Sequence, residues 1–183
     1  MIAIIPDILL LFFPFLMLAF KLFLTQAQTA HKNFAFAYLF ILLICQNFVL
    51  IGDTQVYFSN WQIDTFGIFM REIFTLSALL ALLLSENYFK HSMSEKPRLL
   101  HFSEFAAAIG FATFGGVAVV SANDLLTLFL GLELATIPMY ALVAWNKRDS
   151  EGTEAAIKYI LMGSVATAFE LFGFSYLYGF AGH

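Results

Sequence analysis

Apolar stretches of about 20 residues follow one another along this chain, separated only by short polar links. A helix of that length crosses the roughly 30 Å hydrocarbon layer of a bilayer. Composition agrees: 61% of the 183 residues are hydrophobic, 12% are charged, and the mean hydropathy is +0.82. Soluble domains run nearer ~45–50% and ~25%. A single water-soluble core of this size cannot hide that much apolar surface. The expected fold is therefore all-α, a polytopic membrane bundle of about six transmembrane helices.

The spans are expected at roughly 3–24, 34–52, 65–86, 104–122, 124–145 and 155–180. The fourth and fifth are joined by a tight polar turn at Ser121, Ala122, Asn123 and Asp124. With no Gly/Ser-rich linker, low-complexity tract or clear repeat, residues 1–183 read as one transmembrane domain. The first residues lack the basic stretch and small-residue cleavage site of a secretory signal, so they are expected to open a retained span. His31 and Lys32 lie in the first link, Lys90, Lys96 and Arg98 in the third, and Lys147 and Arg148 in the fifth. The second link holds Asp53 and Asp64 but no Lys or Arg, and the fourth holds Asp124. By the positive-inside rule the odd links face the cytoplasm and both termini lie outside. Tyr57, Trp61, Trp145 and Tyr178 fall near span ends, where aromatic belts form.

Several function classes find no support. There is no basic patch of the kind that binds nucleic acid. The single cysteine, Cys45, excludes a disulfide or cysteine-ligated cluster within the chain. The four histidines, His31, His91, His101 and His183, fall in links or at the terminus, without metal-ligand spacing. Phosphate loops, nucleophile elbows and dinucleotide fingerprints are missing.

The chemistry is instead expected from ionisable residues inside the spans. Glu133 lies about ten residues into the fifth, roughly 15 Å deep. A central acid costs on the order of 2.5–3.5 kcal/mol on insertion scales, so it has a partner or a task. Thr136 and Tyr140 share its face and offer hydroxyls. Pro138 has no N–H for the carbonyl of Leu134, and Gly131 lets a helix or water approach. The alternative is a structural acid paired to a cation on another helix. Lys158, a few residues into the sixth span, either snorkels to the interface or joins a proton pathway; Glu154, four residues earlier, is placed to pair with it. Glu170 lies mid-span on a stripe with Gly163, Ala166, Thr167 and Gly173, a pattern of helix–helix contact. It is either functional or a buried acid bonded to Thr167 or to another helix. Arg71 and Glu72 are adjacent, about 100° apart around the helix and poorly placed to pair. Arg71 is expected to snorkel outward and Asp7 to be interfacial.

The words S-A-N-D-L-L-T-L-F-L-G-L-E-L at 121–134, I-P-M-Y-A-L-V-A at 137–144, K-R-D-S at 147–150, E-A-A-I-K-Y-I-L-M-G-S at 154–164 and A-T-A-F-E-L-F-G at 166–173 carry a resemblance. The chain resembles subunit N of proton-pumping NADH–quinone oxidoreductase (respiratory complex I), the counterpart of mitochondrial subunit 2. The resemblance implies an antiporter-like fold, of which these are the N-terminal six spans, and a subunit without a redox centre. It also implies a chain of charged groups moving protons laterally, in which Glu133 takes part and Lys158 is an accessory member. Where Glu170 stands, it implies an apolar residue.

By the same resemblance the parent enzyme, a translocase, uses NADH, FMN, iron–sulfur clusters and quinone. The partners are other membrane-arm subunits and the lipid bilayer, not nucleic acid, and the location is the cell (inner) membrane. The family's central lysines lie beyond position 183, so no Glu–Lys couple is expected within these residues and they are not expected to move protons alone. Two other readings stand beside this one. The first is a cation/proton antiporter subunit without redox coupling, which usually carries its acid in a W-E or F-E word; the second is a non-transporting membrane scaffold.

Overall fold

The computed structural model describes residues 2–23, 28–47, 55–57, 59–91, 98–145 and 150–181. Among these are six α-helices: α1 (Ile5–Phe23), α2 (Gln28–Asn47), α3 (Thr65–His91), α4 (Arg98–Ser121), α5 (Leu125–Val143) and α6 (Ser150–Ala181). Five are long and apolar enough to cross a membrane: α1, α3, α4, α5 and α6. α2 falls short because residues 48–52, the apolar end of the expected second span, lie outside the described residues. His31 is not in a link as expected but in the first turns of α2.

The second link holds the one sheet among the described residues, a hairpin of β1 (Gln55–Tyr57) and β2 (Trp61–Ile63). The strands pair antiparallel, Gln55 with Ile63 and Tyr57 with Trp61. Ser59, at φ 65°, takes the left-handed conformation at the turn. The hairpin docks on the turn between α4 and α5: the Asn123 backbone N–H donates to the Asn60 carbonyl at 3.0 Å, and its side-chain amide donates to the Ser59 carbonyl at 2.9 Å. One residue on, Asp124 caps α5, accepting from the Thr127 N–H at 2.8 Å and the Thr127 hydroxyl at 2.7 Å. The Thr127 N–H above all holds the Asp124 carboxyl below its ordinary pKa, against a smaller opposing effect of burial. The cap's contribution is thus present above the ordinary carboxylate pKa and is lost as pH falls through the depressed one.

The other end of the bundle is tied differently. Lys21, near the end of α1, forms an ion pair with Glu104 at the start of α4. His31 Nδ1 lies 3.1 Å from the Ser103 hydroxyl, and the ring of Phe105 meets that of Trp145 edge-on. Links two and four therefore share one end, and the residues flanking links one, three and five share the other.

Between the ends, Leu10, Phe13, Met17, Leu39, Leu42, Leu82 and Val117 form a core contributed by α1 to α4. Gly110 lets α4 lie on α1, since a Cβ there would sit 2.6 Å from the Phe13 ring. α5 packs along α4, and α6 touches α5. Most of α6 faces outward, with Phe169 at 73% exposure and Phe180 at 96%. Such an apolar surface belongs against lipid or protein.

Candidate functional site

The contact of α4 with α5 brings two backbones together. Gly131 lies against Ala118 and Val119, where a Cβ would stand 2.8 Å from the Val119 nitrogen. Gly115 lies against Leu134 and Ala135, and a Cβ there would overlap the Ala135 backbone. The Leu134 carbonyl is the one that Pro138 leaves without its helical donor, so α4 passes beside α5 where its ladder is interrupted. These contacts fix α5 in register on α4, with Glu133 between the two glycine contact points in sequence.

Glu133 is half-buried and turns toward α6, eight residues after Leu125 and so roughly 12 Å along α5. Its Oε1 accepts a hydrogen bond from the Thr167 hydroxyl at 2.7 Å. The Thr136 hydroxyl donates to the backbone carbonyl of Glu133 at 3.3 Å, and so does not serve the carboxylate as the shared face had suggested. The Tyr140 ring packs against Gly163 of α6 and meets Tyr159 edge-on, with centroids 4.8 Å apart. Gly163 thus makes room for the tyrosine one α6 turn from Thr167.

The inward stripe of α6 runs through Ala156, Gly163, Thr167, Glu170 and Phe174. Ala166 and Gly173, expected on it, are exposed, and Gly173 has nothing within 4 Å of where a Cβ would be. Glu170 is half-buried one turn from Thr167, roughly 4.5 Å along the axis. The Thr167 hydroxyl is directed to Glu133 and not to Glu170.

Lys158 stands apart from this group. Nine residues before Thr167 it is roughly 13 Å away along α6, and nine steps of about 100° put it on the opposite face. Its ammonium pairs with Glu154 at 2.5 Å, and both side chains are well exposed. The structure therefore brings Glu133, Thr167 and Glu170 to one interface and turns Lys158 away from it.

A second polar cluster corrects one expectation. Arg71 does not snorkel outward: it and Asp7, in the first turn of α1, are 3% and 2% exposed and form an ion pair at 2.9 Å between α3 and α1. Trp61 Nε1 donates to the other Asp7 oxygen at 3.0 Å. The Arg71 Nη2 donates to the Ser121 hydroxyl at 2.5 Å and, more weakly, to the Gln62 carbonyl at 3.4 Å. A bundle interior gives these charges partners that lipid cannot. The bond from Thr167 to Glu133 and this cluster do not show in the sequence, because the partners lie 34 to 64 positions apart. The one available signal was that Asp7 and Arg71 are opposite charges near the same end of two spans.

The described helices form a membrane bundle that sets a half-buried acid of α5 against α6, and the fold is antiporter-like. Residues 122–183 match the family described as NADH:quinone oxidoreductase/Mrp antiporter, TM. More particularly, the chain is similar to NADH-quinone oxidoreductase subunit N of Heliobacterium modesticaldum, 37% identical over 87% of this chain and 33% of that protein. It is 35% identical to the chloroplastic NAD(P)H-quinone oxidoreductase subunit 2 of Chlorokybus atmophyticus, over 76% of this chain and 27% of the relative. A chain of respiratory complex I from Thermus thermophilus has the same fold, with a TM-score of 0.76 at 23% identity, covering 96% of this chain and 36% of that one. The chain thus spans about a third of the length of the curated relatives it matches, and it is a multi-pass membrane protein.

Proposed function

We propose that this chain is the part of an antiporter-like subunit of NADH–quinone oxidoreductase that carries one proton-handling acid of a redox-driven translocase. The observation that carries the reading is Glu133, an ionisable residue about midway along α5 whose carboxylate meets a hydroxyl of α6. An acid so placed is suited to take up and release a proton inside the membrane. Glu170, one α6 turn from Thr167, is the second acid of the interface. Lys158 would serve on the opposite face of α6, toward groups supplied by neighbouring elements. In this reading NADH, FMN, iron–sulfur clusters and quinone belong to partner subunits of the membrane and peripheral arms. The single domain, residues 1–183, crosses the cell (inner) membrane six times with both termini outside.

The family match also covers cation/proton antiporters, which makes transport without redox coupling the second reading. Purification of the tagged full-length protein in mild detergent separates the two. Flavin and iron–sulfur subunits should co-purify, and a protein that comes away free of flavin and iron overturns the redox-coupled reading. The orientation is checked by labelling cysteines placed at Lys96 and Arg148, two positions outside the described residues. Both should react only from the cytoplasmic side, and labelling of both from outside would reverse the topology.

A further inference from the structure

α5 meets α6 along one face of each helix. Glu133 and Tyr140 are seven residues apart on α5, close to two turns, and project to the same side. Tyr159, Gly163 and Thr167 follow one another at four-residue steps on α6, the spacing of a packing ridge. The Thr167 hydroxyl donates to Glu133 Oε1 at 2.7 Å. One α6 turn away the Tyr140 ring lies over Gly163. A Cβ there would overlap the phenol oxygen and would stand 2.8 Å from the ring carbon that bears it. The Tyr159 ring meets the same phenol edge-on, with centroids 4.8 Å apart, so Tyr140 is held against the α6 turn from Tyr159 to Gly163.

We propose that Gly163 and Tyr140 are positioning residues for Glu133: the phenol, seated on a residue without a side chain, sets the separation of α5 and α6 at which Thr167 reaches the acid. This rests on the reading of Glu133 as the proton-handling group. Ordinary contact between carbons falls near 3.5 Å, about 0.7 Å beyond where a Cβ at position 163 would meet the ring carbon, and the oxygen would need more. Thr167 is about 6 Å along α6 from Gly163 and is carried by the same shift. A bond of 2.7 Å lengthened by that much passes the roughly 3.0 Å limit of an O–H···O hydrogen bond. The phenol has little room to yield toward Tyr159, because their 4.8 Å separation is already near the short end of the roughly 4.5–7 Å range of ring pairs.

The test uses the assembled full-length protein and two readouts: proton pumping in membrane vesicles, and the infrared band of Glu133, identified by its loss in Glu133→Gln. Gly163→Ala should lower pumping about five- to tenfold, the scale of one lost hydrogen bond, and shift the band as Thr167→Val does. Gly163→Ala combined with Thr167→Val should be no worse than Thr167→Val, since both remove the same bond. Adding Tyr140→Phe to Gly163→Ala takes away the overlapping oxygen and should restore most of the pumping and return the band toward its wild-type position. Tyr140→Trp enlarges the other partner, should shift the band in the same direction, and carries the test if Gly163→Ala does not assemble. An unshifted band, losses that add in the combined variant, or no recovery with Tyr140→Phe overturns the proposal. Wild-type pumping in Glu133→Gln would instead sink the proton-handling reading, and the infrared band would still decide whether Gly163 and Tyr140 place the carboxylate.

Discussion

Glu133→Ala in the full-length protein should lower proton pumping and coupled quinone reduction by on the order of a hundredfold, the scale at which a positioned acid–base group acts, while assembly stays intact. Assembly should survive because the residue is half-buried and its described side-chain bond is one hydroxyl, from Thr167. Glu133→Gln keeps an oxygen for that hydroxyl but cannot carry the proton, so it should fail as badly as alanine. Glu133→Asp keeps the acid and draws it back by one methylene, which should cost less than either. Thr167→Val is the complementary variant: it removes the hydrogen bond and leaves the carboxylate, and should fall between the aspartate variant and wild type. Pumping measured in membrane vesicles decides the matter, and wild-type rates in Glu133→Gln would remove Glu133 from the proton path.

The bundle was legible because apolar length alone demands membrane helices, and Glu133 because an acid amid Leu132 and Leu134 has no cheap explanation in lipid. What a single residue meets across a helix interface was not. Trp61 reads as a belt aromatic from its position at a span end, yet its indole N–H is used on Asp7. The α6 stripe was placed correctly at Gly163, Thr167 and Glu170 and wrongly at Ala166 and Gly173, an error of one residue step around the helix. The opposition of Lys158 to Thr167 was available from spacing alone, since nine residues make two and a half turns. The hairpin gave no signal strong enough to separate it from a link. Its strands are three residues each, and the hairpin is held by Asn123, whose bonds to Ser59 and Asn60 join segments more than 60 residues apart.

The largest loss of stability should come from breaking the Asp7–Arg71 pair on one side only. Arg71→Met leaves a carboxylate 2% exposed with Trp61 as its one described partner, and Asp7→Leu leaves a guanidinium 3% exposed with no counter-charge among its described partners. Each single substitution should destabilise by about 3–5 kcal/mol, because an uncompensated charge remains inside. The double variant, Asp7→Leu with Arg71→Met, removes both charges and refills much of the volume with apolar atoms. It gives up the bonds of Trp61 and Ser121, each worth about 1 kcal/mol, yet should be more stable than either single variant. That inversion separates a charge pair from a set of independent contacts, for which losses at two sites would add. The thermal midpoint of the purified full-length protein in one detergent gives the ranking. A double variant less stable than both singles would mean that the ion pair is not what holds α1 to α3. Retention of the wild-type midpoint by Arg71→Met would go further and show that the guanidinium is dispensable to the bundle.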